Sequence, residues 1–121
     1  MKLLIVDDNK DIVETLKMIA QKEGFTYDWA YNGEEFIKKS PEFKPDLVLL
    51  DVMMPGLNTT QILERLHEEH IENIKIIMLT VVRFTDEERA ALMQDKRVVD
   101  YITKPFDVVD LVARIRRQVS S

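Results

Sequence analysis

Five short strand-like runs are each followed by a segment with helical spacing, from one end of this chain to the other. They are "KLLIV" at 2–6, "FTYDWA" at 25–30, "DLVLL" at 46–50, "IKIIMLT" at 74–80 and "VVDYIT" at 98–103. The first and third are apolar enough to be buried on both faces, and the second alternates. Strands that alternate with helices specify a parallel sheet covered by helices on both sides. Right-handed crossovers then leave few ways to order the strands.

The helical segments have recognisable ends. From Asn9 to Glu23, Ile12, Leu16 and Ile19 recur on one side, and Gly24 supplies a stop. Gly33 to Lys39 reads as a short helix before Ser40-Pro41, and Thr60 to Glu69 carries Ile62, Leu63 and Leu66 on one face. Thr85 and Glu88 form a capping box ahead of "ERAALMQ". Phe106-Asp107 opens the last helix, whose apolar side is Leu111, Val112, Ile115 and Val119. No repeat or linker interrupts the pattern, so residues 1–121 form one domain.

Composition removes several function classes. There is no cysteine, which excludes disulfides, thiol chemistry and thiolate metal sites. The opening "MKLLIVDD" is too short an apolar run for a signal peptide, and no stretch approaches a membrane span, so a cytoplasmic protein is expected. A net charge of −5 opposes nonspecific binding to nucleic acid. The basic "RIRR" at 114–117 reads as a solvated helix end whose cations complement the helix dipole. His67 and His70, in the polar "LHEEHIEN", read as helix surface rather than a metal site.

In parallel sheets of this kind, ligands bind outside the carboxyl ends of the strands. The first run ends in Asp7-Asp8, the third in Asp51, the fourth in Thr80 and the fifth in Lys104. Three carboxylates, a hydroxyl and an ammonium therefore open onto one edge. Neighbouring carboxylates repel, and a cation such as Mg2+ offsets that repulsion while sharing phosphate oxygens. A carboxylate in such a site can attack phosphorus, with the lysine and hydroxyl binding the phosphoryl oxygens. Singly, each residue has an ordinary explanation. Asp8 or Asn9 can cap a helix, Asp51 can precede a turn, Thr80 can close a strand, and Lys104 can sit in a surface turn. Their joint occurrence at four strand ends points to phosphoryl chemistry.

The motifs "IVDDN" at 5–9, "LVLLDVMMPG" at 47–56, "MLT" at 78–80 and "DYITKPF" at 100–106 resemble the receiver domain of two-component response regulators. The resemblance covers essentially the whole chain. It implies an α/β, flavodoxin-like domain of five βα units, with a parallel sheet of order 2-1-3-4-5 and helices on both faces. It further implies that Asp51 accepts a phosphoryl group from a sensor histidine kinase or a histidine phosphotransfer protein. Asp8 and Asp51 would bind Mg2+ directly, the Met53 backbone carbonyl would be a third ligand, and Asp7 would help through water. Lys104 would pair with the phosphoryl group, Thr80 would swing toward it, and the rotamer of Tyr101 would follow. Lys104-Pro105 is an expected cis peptide.

Departures from the family pattern stand out in three places, the first of them the set Val81, Met53 and Val82. Val81 replaces the small residue that commonly follows the switch threonine, which narrows access to Asp51. Met53 and Val82, at positions that modulate dephosphorylation in the family, are apolar and cannot orient a water, so a long-lived acyl phosphate is expected. Arg97 and Val98 stand where the family carries Gly-Ala, so the fourth helix is expected to end differently, as a short or mobile element. Thr59 replaces a glycine before the third helix, and Asn58 or Thr59 is expected to cap it.

The favoured function is a phosphorylation switch acting through the face of the fourth helix, fifth strand and fifth helix. Either a transcriptional regulator or a stand-alone receiver fits. "DLVARIRR" resembles the last helix of receivers that dimerise through that face, where Asp100 and Arg114 would bridge subunits. Turnover of external substrates by an aspartyl-phosphate phosphatase needs a second Asp two residues after the nucleophile, and residue 53 is Met. Gly24, Gly33 and Gly56 cannot assemble a glycine-rich nucleotide loop. The alternative reading is a pseudo-receiver, an interaction module that works without phosphorylation.

Overall fold

The structure is a computed structural model and describes residues 1–52, 54–81 and 85–119. Ten elements alternate: β1 (Lys2–Val6), α1 (Lys10–Lys22), β2 (Thr26–Ala30), α2 (Gly33–Phe43), β3 (Leu47–Asp51), α3 (Thr59–Glu68), β4 (Lys75–Thr80), α4 (Asp86–Met93), β5 (Val98–Thr103) and α5 (Val108–Val119). The sheet runs β2-β1-β3-β4-β5, and every neighbouring pair is parallel. Both the element order and the strand order match those expected.

The period of two divides the apolar runs between two cores. Leu4, Val6, Val48, Leu50, Ile76 and Met78 face Phe36 and Ile37 of α2 and Ile62 and Leu66 of α3. Leu3, Ile5, Leu47, Leu49, Ile77 and Leu79 face Val13, Leu16 and Ala20 of α1 and Leu111 and Ile115 of α5. The central strands must be apolar at every position because both faces are covered. One glycine sits at a tight contact: a Cβ on Gly33 would lie 2.8 Å from Cδ1 of Ile62, so a side chain there would require the buried Ile62 side chain of α3 to shift. No helix among the described residues is long and apolar enough to cross a membrane.

Several local expectations need correction. The buried face of α1 is centred on Val13, Leu16 and Ala20, which leaves Ile12 and Ile19 half-buried. Helix α1 does end as expected, with Gly24 at φ 77° just beyond the Glu23 cap. Helix α2 does not stop at Lys39 but continues through Pro41 to Phe43. A proline removes only one amide donor, and the Ser40 hydroxyl donates to the Phe36 carbonyl at 2.8 Å within the same turns. On α5, Leu111 and Ile115 are buried, Val112 is half-buried and Val119 is exposed. Asn58 caps α3 in a capping box with Gln61, and Thr85 with Glu88 caps α4 as expected.

The "RIRR" segment does place Arg116 and Arg117 exposed in the last turn of α5, and two of its arginines are also paired. Arg114 donates to Asp100 at 2.8 Å and to Asp110 at 3.0 Å. Arg116 donates to Glu23 at 2.7 Å and stacks over Phe25. The histidines do lie on the exposed surface, His67 beside Glu72 at 2.8 Å.

Helix α4 departs most from the apolar pattern, for none of its eight residues is buried. It ends at Gln94 in a right-handed conformation rather than on a left-handed glycine. The turn beyond it is held by an anchor. Arg97 is 7% exposed, and its guanidinium donates to Asp95 at 2.7 and 3.0 Å, to the Leu63 carbonyl at 3.0 Å and to the Ile71 carbonyl at 3.0 Å. The α4–β5 turn is thereby tied to the middle of α3 and to the loop after it. Beyond the anchor, the β4–β5 pairing slips between Ile76↔Val98 and Ile77↔Asp100. The extra residue resets the alternation, so Tyr101 joins Val98 on the α2–α3 side and Ile102 faces the other core.

Removing one partner of a buried, hydrogen-bonded ion pair strands the other. Arg97→Ala is expected to cost about 3 kcal/mol in urea unfolding, and a loss below about 1 kcal/mol would contradict the anchor. The bond from Arg97 holds the Asp95 carboxyl below its ordinary value, against the opposing effect of burial. A lowered folded pKa means that the contribution is complete above the unfolded value and is lost as pH falls through the folded one. The stability gap between the native chain and Asp95→Asn is therefore expected to close below about pH 4. A gap unchanged from pH 7 to pH 3 would refute this.

Candidate functional site

The carboxyl ends of β1, β3, β4 and β5 deliver the expected residue types to one edge of the sheet. Asp7 directly follows β1, and its carboxylate accepts the Asn9 amide at 3.0 Å. Asn9 caps α1 by accepting the amides of Asp11 and Ile12. The capping role therefore belongs to Asn9, and Asp8 remains as an exposed carboxylate beside the two buried ones. Asp51 is the last residue of a strand buried along its whole length and is only 5% exposed. Thr80 ends β4 and is fully buried.

Lys104 follows β5, with the expected cis bond to Pro105. Its amide donates to the Thr80 carbonyl at 2.6 Å, which fastens the residue to the end of β4. Its ammonium lies 2.6 Å from Asp7 and 3.6 Å from Asp51. Half-buried Tyr101 sits on β5 three residues earlier, and its backbone carbonyl accepts from Arg114 at 3.3 Å. Val81 is an exposed bend directly after Thr80. Met53 and Val82 lie outside the described residues. Asp100 and Arg114, expected across a dimer interface, are bonded to each other within the chain.

Oxygens of Asp7, Asp8 and Asp51 lie within 4.8 Å of one another. Unit charges at such distances repel by about 3–4 kcal/mol per pair in an effective dielectric of about 20. Three carboxylates against one ammonium leave two negative charges, which a divalent cation would cancel. The ligands are all hard oxygens, with no imidazole in the cluster, and suit Mg2+. Asp7, Asp8 and Asp51 are the residues that could hold such an ion.

Two residues outside this cluster escaped the sequence reading, Arg97 just before β5 and Arg89 on α4. Arg97 looked only like a missing glycine, because its carbonyl partners lie 26 and 34 residues away. Arg89, whose guanidinium lies 4.5 Å from the Tyr101 ring centroid, gave no signal beyond its place in a helical segment.

Comparison with known proteins agrees with this fold. A family model described as the response regulator receiver domain matches residues 3–116. The transcriptional regulatory protein DltR of Streptococcus agalactiae is 37% identical over 96% of this chain and 50% of its own length. The DNA-binding response regulator MtrA of Mycobacterium tuberculosis is 35% identical over 98% of this chain and 50% of its own. The chain thus spans about half the length of the curated relatives it matches. Among solved structures, a Francisella response regulator receiver domain is 27% identical, with a TM-score of 0.83 over 97% of this chain and 94% of that one. A two-component response regulator from Clostridium difficile is 25% identical, with a TM-score of 0.88 over 99% and 96%. Fold, strand order and family model agree that the chain belongs to the response regulator receiver domain family.

Proposed function

We propose that this receiver is a phosphoryl-accepting switch and that Asp51 is the acceptor. The observation that carries the reading is the meeting of three carboxylates and one ammonium at the end of a fully buried strand. The donor is a phosphohistidine of a sensor kinase or a histidine phosphotransfer protein. An Asp51 oxygen bonds to phosphorus as the phosphorus–nitrogen bond breaks, and the electron pair leaves with the imidazole. Lys104 offsets charge on the phosphoryl oxygens, and the Thr80 hydroxyl donates to one of them. Bound Mg2+ would supply further positive charge to those oxygens.

Phosphorylation then shifts an equilibrium between two conformations, with Thr80 and Tyr101 carrying the change to α4, β5 and α5. The names of the two relatives support transcriptional control as the output, and a stand-alone receiver is the other form. The acidic balance of the chain supports a domain that does not itself hold DNA. A homodimer through the α4–β5–α5 face would exchange the internal Arg114–Asp100 bond for one between subunits. Met at position 53 argues against turnover of external substrates. No observation favours the pseudo-receiver, which has no need of a complete set of site residues.

Incubation with Mg2+ and acetyl phosphate is expected to add one phosphoryl group by intact mass, and neither Asp51→Asn nor a chelated sample should gain it. Lys104→Met should slow the gain on the order of a hundredfold. The acyl phosphate should persist, and Val81→Ala should shorten its life. A gain that survives Asp51→Asn would refute the assignment.

A further inference from the structure

Building on the roles of Asp51 and Tyr101 proposed above, we infer that Arg89 is a positioning residue that latches Tyr101 on the α4 side and so opposes the signalling movement. Helix α4 buries none of its residues, so no apolar contact fixes it to the sheet as fully as the other helices are fixed. Its first turn is capped from within by Thr85 and Glu88, and the turn after it is anchored through Arg97. Between those ends, the Arg89 guanidinium lies over the Tyr101 ring at 4.5 Å from its centroid.

The ring can be reached by α4 because of the register slip in β5. Without the extra residue, Tyr101 would point to the opposite face from Val98. Its backbone is held on both sides, the amide donating to Asp100 at 2.8 Å and the carbonyl accepting from Arg114 at 3.3 Å. Movement of Tyr101 is therefore movement of its side chain. A ring that turns toward Thr80 must leave the guanidinium, and the cation–aromatic attraction is lost in that step. The stack thus favours the resting position by the amount of that attraction, which for an exposed pair corresponds to about a twofold to fivefold bias in the equilibrium.

Beryllofluoride with Mg2+, as a phosphoryl mimic, measures this bias by isothermal titration calorimetry. Arg89 is exposed, so its replacement leaves both cores intact. Arg89→Ala is expected to bind beryllofluoride about two to five times more tightly than the native chain, with Arg89→Lys between the two. In a Tyr101→Leu background, Arg89→Ala should change nothing, a result that a general loosening of α4 would not give. Equal or weaker binding by Arg89→Ala, or a shift that persists with Tyr101→Leu, would overturn the latch. Failure of the native chain to bind the mimic would instead remove the reading of Asp51, and the latch with it.

Discussion

The contact of Lys104 with Asp7 and Asp51 is the interaction on which the rest of the site depends. Asp7 is fully buried and Asp51 nearly so, and buried carboxylates without a counter-charge are costly. One ammonium, 2.6 Å from the first and 3.6 Å from the second, lets both stand at the end of an apolar sheet. That ammonium is in place because the Lys104 amide is bonded to the end of β4, and β4 is packed on both faces. The two cores therefore do more than stabilise the fold. They hold three strand ends at fixed spacing, so the carboxylates converge without depending on a flexible loop.

Rigidity at the acceptor contrasts with the attachment of α4. Four helices press apolar side chains into the cores, whereas α4 contributes none that is buried. It is bounded by its own cap on one side and the Arg97 anchor on the other. A rigid acceptor and a lightly held helix, joined through β5, are the two parts that a conformational switch requires. The anchor also limits where change can occur, because the turn before β5 is tied to α3.

Much of this was legible in the sequence for a simple reason. The parallel sheet follows from the alternation of strands and helices and the site residues from what ends each apolar run, all of them local, whereas the strand order was implied by the family resemblance. What escaped depends on distant partners. Arg97 reads only as a residue in place of a helix-ending glycine until carbonyls of Leu63 and Ile71 are brought beside it. The slip that turns Tyr101 toward α4 arises from pairing between β4 and β5, and neither strand shows it alone. Helix α2 passes Pro41 because tertiary packing of Phe36 and Ile37 outweighs one missing donor. Arg114 and Arg116 looked like a charge run, yet Asp100 and Glu23 fold back to meet them.

The most direct test of the central claim is to trap the modified residue chemically. Borohydride reduces an aspartyl phosphate to homoserine, and peptide mass spectrometry locates the change after treatment with acetyl phosphate and Mg2+. Homoserine is expected at position 51 and nowhere else. Homoserine at position 7 or 8, or phosphate held in a form that borohydride does not reduce, would contradict the assignment of Asp51 as acceptor.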